Sequence, residues 1–178
     1  GGKKQLTQST TESIFANDYV PGTTNIIYSA DKGGNENDHL YLLTADGKST
    51  DLTPGEKEKA NFFGWTRDKK SFYYASNKRD PRFFFLYKMD TAGWKSKMIY
   101  KNDNGFDVSA VSDDERYLAL TETITTSSNN LYLVDQQTKQ TKKINPDTTE
   151  ANYQPMLFSM DNQTLYFSTD AGSEFQHL

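Results

Sequence analysis

Short apolar runs separated by polar turns recur along the whole chain, and no segment sustains a helical 3.6-residue period. Four segments set an apolar residue, a short polar turn and a second apolar run in the same order: VPGTTNIIYSAD from Val20, WTRDKKSFYYASN from Trp65, VSDDERYLALTET from Val111 and FSMDNQTLYFSTD from Phe158. Their second runs begin at Ile26, Phe72, Tyr117 and Leu165, at intervals of 46, 45 and 48 residues. A second series, HLYLL, FLYKMD and NLYLVD, places Leu40, Leu86 and Leu131 at intervals of 46 and 45. A third sets one apolar residue among polar neighbours at Leu6, Leu52, Ile99 and Ile144, separated by 46, 47 and 45. Three independent series share one period, so the chain is built of repeats.

Each repeat reads as four short strands. The first ends at Val20, Trp65, Val111 or Phe158. The second (IIY, FYY, YLAL, LYF) and the third (LYLL, LYKM, LYLV) are apolar on both faces and so buried on both sides. The fourth keeps a single apolar residue among Lys, Thr and Asp. Burial is therefore expected to fall from the first or second strand towards the fourth. Turn formers punctuate the pattern: Pro21-Gly22, Asp68, Asp113-Asp114 and Asp161-Asn162 after the first strand, Asp46-Gly47 and Ala92-Gly93 after the third. Four-stranded units of this length with a polar outermost strand predict an all-β chain of antiparallel β-propeller blades. A single β-sandwich would not repeat its strands in register at one interval. The expected organisation is an outer strand of a preceding blade at 1–8, blades at 9–54, 55–102 and 103–147, and a partial blade at 148–178. That makes an incomplete propeller of about 3.5 to 4 blades. Leu178 falls 47 residues after Leu131, where the third strand of the fourth unit would begin. An open arc is expected rather than a ring closed by Lys3 to Thr7 as a latch.

Composition narrows the classes. The 178 residues are 34% hydrophobic, yet 13% aromatic, which a disordered chain would not be. The core must be built from rings. A net charge of −4 with interspersed Lys and Glu offers no basic face for phosphates, so no nucleic-acid partner is expected. No apolar run reaches the roughly 20 residues of a membrane-spanning helix, and no membrane partner is expected. The absence of cysteine excludes disulfides, thiolate metal sites and a Cys nucleophile without fixing the compartment.

Pro155 to Asp170, PMLFSMDNQTLYFSTD, resembles the P-x-W-S-P-D-G-x-x-[LI]-x-[FY]-x-S repeat of TolB-like propellers, and LYLLTADGKSTDLT from Leu40 resembles the strand-and-turn ending of the same repeat. The other three copies are more divergent. Trp65 and Asp68 keep the aromatic and the acid, Ser112 to Asp114 the Ser and the acidic turn, and Val20-Pro21-Gly22 only the turn. Similar repeats build the non-catalytic amino-terminal propellers of prolyl oligopeptidase family serine peptidases, and SNKRDPRFFFLYKMD, Ser76 to Asp90, is more similar to those than to TolB. That resemblance implies a domain that gates or helps position peptide substrates for an α/β-hydrolase domain of the same parent chain. A TolB-like protein-interaction module without an enzyme is the alternative. The chain has no G-x-S-x-G nucleophile elbow, and its two histidines are His39 and His177. No catalytic residue is assigned, and the isolated chain is expected to lack peptidase activity.

The longest connections lie between the second and third strands, where variable binding is best placed. Arg79, Asp80, Arg82 and Phe83 are the candidate contacts to substrate or partner, because two guanidiniums beside an aromatic run suit a peptide carboxylate or an acidic loop. The competing reading is a solvated turn set by Asp80 and Pro81, with Phe85 in the core. The loop Asp31 to Asp38 is oxygen-rich enough for calcium, but its spacing matches no EF-hand and a polar hairpin loop is the simpler reading. A metal at His39 with Asp38 and Glu36 lacks ligands. No metal or cofactor is expected.

Overall fold

The computed structural model describes residues 5–147 and 150–178. It contains fourteen strands in four antiparallel sheets and no helix among the described residues. The chain divides into two compact units, residues 1–101 and 102–178.

In the first unit, β1 (Ile14–Tyr19), β2 (Ile26–Ala30), β3 (His39–Leu43) and β4 (Ser49–Asp51) form one meander. β5 (Ala60–Trp65), β6 (Ser71–Ser76), β7 (Phe85–Asp90) and β8 (Ser96–Tyr100) form the next. In the second unit, β9 (Asp107–Val111), β10 (Tyr117–Thr123), β11 (Asn129–Asp135) and β12 (Gln140–Lys143) make a third meander, and β13 (Tyr153–Phe158) pairs with β14 (Leu165–Thr169). These are propeller blades: each sheet runs in sequence order, and each repeat of the pattern occupies one sheet. Beyond β14, His177 makes an isolated bridge to Thr169. At the other end, Gln5 to Gln8 carry no strand, and Lys3 and Lys4 of the expected outer strand lie outside the described residues. Leu6 shares the lining of a cavity of about 120 Å³ with Ile26 and Leu43.

The two middle strands of each full sheet are the buried ones. Ile27, Leu40, Phe72, Leu86, Leu118 and Leu131 are fully buried, whereas β4 and β12 are largely exposed. The gradient starts at the second strand rather than the first, because β1 is exposed along five of its six residues. As a sheet edge, β1 has a paired neighbour on one side only, and its alternate side chains Phe15 and Tyr19 remain open to solvent. In the first unit one core joins the two sheets. Ile27, Leu40 and Leu42 from one pack with Phe72, Tyr74, Tyr87 and Met89 from the other, with half-buried Trp65, Phe62 and Phe83 against them. In the second, Ala110, Ala119, Leu131, Ala151 and Tyr153 take that role, with Phe158 and Phe167 at the margin.

Two local devices repeat with the blades. Every first strand carries a β-bulge, at Asn17, Phe63, Ser109 and Met156, where the pairing register slips by one residue. The turn that follows is locked by a hydroxyl and a carboxylate two residues on. Thr66 donates to Asp68 at 2.7 Å, Ser112 to Asp114 at 2.6 Å and Ser159 to Asp161 at 2.5 Å, and each acid also accepts a backbone N–H two residues further along. The residue after the Asp adopts left-handed φ: Lys69 at 59°, Glu115 at 59° and Asn162 at 59°. Gly serves that conformation without steric cost, while a Lys or Glu pays for it in crowding of its Cβ. Glu115→Gly is accordingly expected to stabilise the chain by about 0.5–1 kcal/mol, net of the larger chain entropy of Gly when unfolded. Denaturant unfolding would read the gain, and a loss of stability would show that the Glu115 side chain contributes more than its backbone costs. After the third strand of the second blade the turn spans Thr91 to Gly93 as expected, Asp90 accepts from both Gly93 N and Lys95 N, and positive φ falls on Trp94 (55°).

Candidate functional site

The connection from β6 to β7 is a structured loop. Asn77 fastens its start to the chain before β5, its Oδ1 accepting from Lys59 N at 2.6 Å. Asp80 and Pro81 then make a turn in which Phe83 N donates to Asp80 O at 3.1 Å, with Pro81 where its fixed φ suits the bend. The Asp80 carboxylate accepts from Arg82 three times: from its backbone N at 3.0 Å, from Nε at 3.0 Å and from Nη2 at 2.7 Å. That two-pronged guanidinium contact, seconded by the Arg82 backbone N–H, holds the Asp80 carboxyl down at about 2. The Arg82 guanidinium also lies 5.0 Å from the centroid of Phe83, whose ring packs against the core of the first unit.

The four candidate residues thus divide by role. Asp80 and Arg82 satisfy each other and set the loop; Phe83 anchors it. Arg79 is exposed, 5.9 Å above the Phe85 ring, and has no carboxylate partner among the described residues. The sequence placed these residues on one loop but gave no means of telling which arginine was already paired.

Because its folded pKa lies below its ordinary value, the Asp80 contact contributes stability above the usual carboxylate range and loses it as pH falls through about 2. Arg82→Ala should raise the Asp80 titration towards the ordinary carboxylate range without fully reaching it, since the backbone N–H at that position remains, and carboxyl-carbon NMR would observe the change. A titration still near 2 would assign the shift to the loop backbone instead.

The other sequence candidates resolve differently. In the loop 31–38, Asp31 Oδ2 accepts from Glu36 N at 3.0 Å and Asn35 Oδ1 from Asn37 N at 2.9 Å, with Gly33 and Gly34 at left-handed φ. Those two oxygens close the loop on its own backbone. Among the described residues, no three His, Asp or Glu side chains gather to hold a metal. His39 does not turn to Asp38 or Glu36. Buried at the start of β3, it places Nδ1 2.8 Å from Asp51 Oδ2 and stacks on Tyr41. An Asp-oriented imidazole is two-thirds of a hydrolytic triad, yet no hydroxyl lies within hydrogen-bonding distance of His39 among the described residues. The Asp51 pairing crosses from β3 to the strand beside it and follows from register, which the sequence alone does not specify.

The blade repeats match a known sequence family. The profile of the prolyl oligopeptidase N-terminal β-propeller domain covers residues 14–178. The chain belongs to that propeller family. Among curated proteins, dipeptidyl aminopeptidase BIII of Pseudoxanthomonas mexicana is 32% identical over 104 residues, which is 56% of this chain and 15% of that protein. The propeller chain therefore spans a small part of the length of this relative. Among solved structures, a prolyl endopeptidase superposes over 96% of this chain and 27% of its own, at 18% identity and a TM-score of 0.62. TolB from Acinetobacter baumannii superposes over 92% of this chain and 42% of its own, at 17% identity and a TM-score of 0.54. These structural likenesses are likenesses of fold. In this family catalysis belongs to a separate domain, and the expectations of fold and family hold.

Proposed function

We propose that this propeller domain gates or helps position peptide substrates for an α/β-hydrolase serine peptidase domain of the same parent chain. The observation that carries the reading is the family match over residues 14–178, joined to the likeness to a dipeptidyl aminopeptidase. That likeness favours a peptidase partner over a free-standing interaction module. Within the domain, the loop from Arg79 to Phe83 makes the contact. Asp80 fixes Arg82, Phe83 ties the loop to the core, and Arg79 offers an unpaired guanidinium to a peptide carboxylate.

The test is a comparison of two substrates on the parent enzyme. Arg79→Ala should lower kcat/KM for a peptide ending in a free carboxylate by about tenfold, chiefly through KM, since one charge-assisted hydrogen bond is worth on the order of 1.5–3 kcal/mol. A small neutral aminoacyl amide should be turned over unchanged. Equal losses on both substrates would mean that the variant damages the enzyme generally, and no loss on either would remove Arg79 from the substrate path.

A further inference from the structure

A second feature of the first unit, independent of the Arg79 loop, lies where the end of the first sheet meets the second. Leu52, Thr53 and Pro54, just beyond β4, face Tyr74 and Ser76 of β6, Met89 of β7, Ser96 of β8 and the turn residue Trp94 across a cavity of about 250 Å³. Glu58 and Lys78 complete its rim. Its lining mixes apolar side chains with the hydroxyls of Thr53, Tyr74, Ser76 and Ser96.

The tyrosine pair beneath it recurs in both blades of this unit. Tyr28 stacks on Tyr41 at 5.1 Å and its hydroxyl meets Ser49, just as Tyr74 stacks on Tyr87 at 5.2 Å and its hydroxyl meets Ser96. Only the second pair has a lysine drawn over it among the described residues. Lys78 Nζ lies 3.9 Å from the Tyr87 centroid and donates to Tyr74 Oη at 3.2 Å. No carboxylate pairs with it among the described residues. Lys78 is exposed along its length, but its ammonium rests on ring faces and one phenol, and that partial cover lowers its pKa. An ammonium partly covered by rings, with no carboxylate paired to it among the described residues, has room for an incoming anion.

The rim also limits what that anion is. Glu58 is held ionised, its carboxyl lowered first by the Lys57 N–H, which it accepts at 3.0 Å. Glu58 and Lys78 together leave the empty rim neutral, so a ligand with a single carboxylate brings one net negative charge and a dianion such as phosphate two, which the rim disfavours more strongly. Leu52, Pro54, Met89 and Trp94 suit an apolar body, and the volume admits on the order of ten heavy atoms. We propose that this cavity binds a small monocarboxylate with an aliphatic or aromatic body, its carboxylate on Lys78 Nζ and its body against Trp94 and Met89.

Phenylacetate titrated into the chain tests this, followed by amide shifts in 1H–15N NMR, with phenylacetamide, phenethylamine and inorganic phosphate as comparison probes. Saturable phenylacetate binding is expected, with the shifts centred on Thr53, Trp94 and Ser96. Phenylacetamide, of the same shape without the charge, should bind at least about tenfold more weakly, as should phenethylamine and phosphate. Lys78→Met, which keeps the stem over the rings, should weaken phenylacetate by a similar factor, while Lys32→Met on the corresponding loop of the first blade leaves it unchanged. The proposal is overturned if phenylacetate fails to saturate, if the amide or phosphate binds as tightly, or if Lys78→Met binds normally. The probe comparison on the unaltered chain decides the matter even where a variant fails to fold.

Discussion

Replacing Phe72 by Ala is expected to destabilise the first unit by about 3–5 kcal/mol, the range for truncating a buried aromatic side chain. Phe72 is completely buried in β6. Its ring sits 5.4 Å from Phe62, 5.5 Å from Trp65 and 6.2 Å from Tyr74, at tilted or edge-on angles that suit aromatic quadrupoles. Those neighbours are rigid plates anchored on two adjacent strands, so they relax poorly into the space left behind, and the cost falls towards the upper end. Phe72→Leu, which refills much of the volume, should lose far less. Urea unfolding of both variants reads the difference. A loss below about 1 kcal/mol for the Ala variant would mean that the sheet presents this position to solvent.

Leu131→Ala should cost the second unit about 2–5 kcal/mol for a related reason. Leu131 is fully buried in β11 and packs among Ala110, Ala119, Ala151 and Tyr153. Three of those four are alanines, which bring backbone close to the leucine and have no side chain able to swing into the gap. The backbone of Leu131 is also fixed, since its N donates to Asn145 Oδ1 at 2.8 Å and its carbonyl accepts from Ile144 N at 2.9 Å. As a control, Leu157→Ala on β13, at a side chain 54% exposed, should change stability by no more than about 0.5 kcal/mol. Similar losses at Leu131 and Leu157 would contradict the packing described for the second unit.

Much of the fold was legible because a blade repeats its hydrophobic pattern at a fixed interval. The second strands begin at Ile26, Tyr117 and Leu165 as the apolar runs predict, with β6 opening one residue earlier at Ser71. What the pattern could not show is what depends on register rather than residue type. A bulge needs no special side chain, so Asn17, Phe63, Ser109 and Met156 carried no mark of theirs, although they recur at nearly the blade interval. Left-handed φ at Lys69 and Glu115 was equally hidden, because those residues stand where a glycine would have announced the turn.

The candidate loop was legible as a location but not as a division of labour. Arg79, Asp80, Arg82 and Phe83 were picked out by charge and aromaticity, whereas the clamp of Asp80 on Arg82 depends on the bend at Pro81. The cavity at Lys78 left no trace in the sequence. Its walls come from four separate stretches, Leu52 to Glu58, Tyr74 to Lys78, Met89, and Trp94 to Ser96, which meet only when two sheets pack.

We propose that this propeller serves a serine peptidase domain whose catalytic apparatus lies outside these residues. Labelling the parent protein with a fluorophosphonate, followed by peptide mapping, tests it most directly. The account predicts one labelled serine, within a G-x-S-x-G sequence and outside the 178 residues described by this sequence. A label on a serine of this chain, or a parent protein in which no serine is labelled, would contradict it.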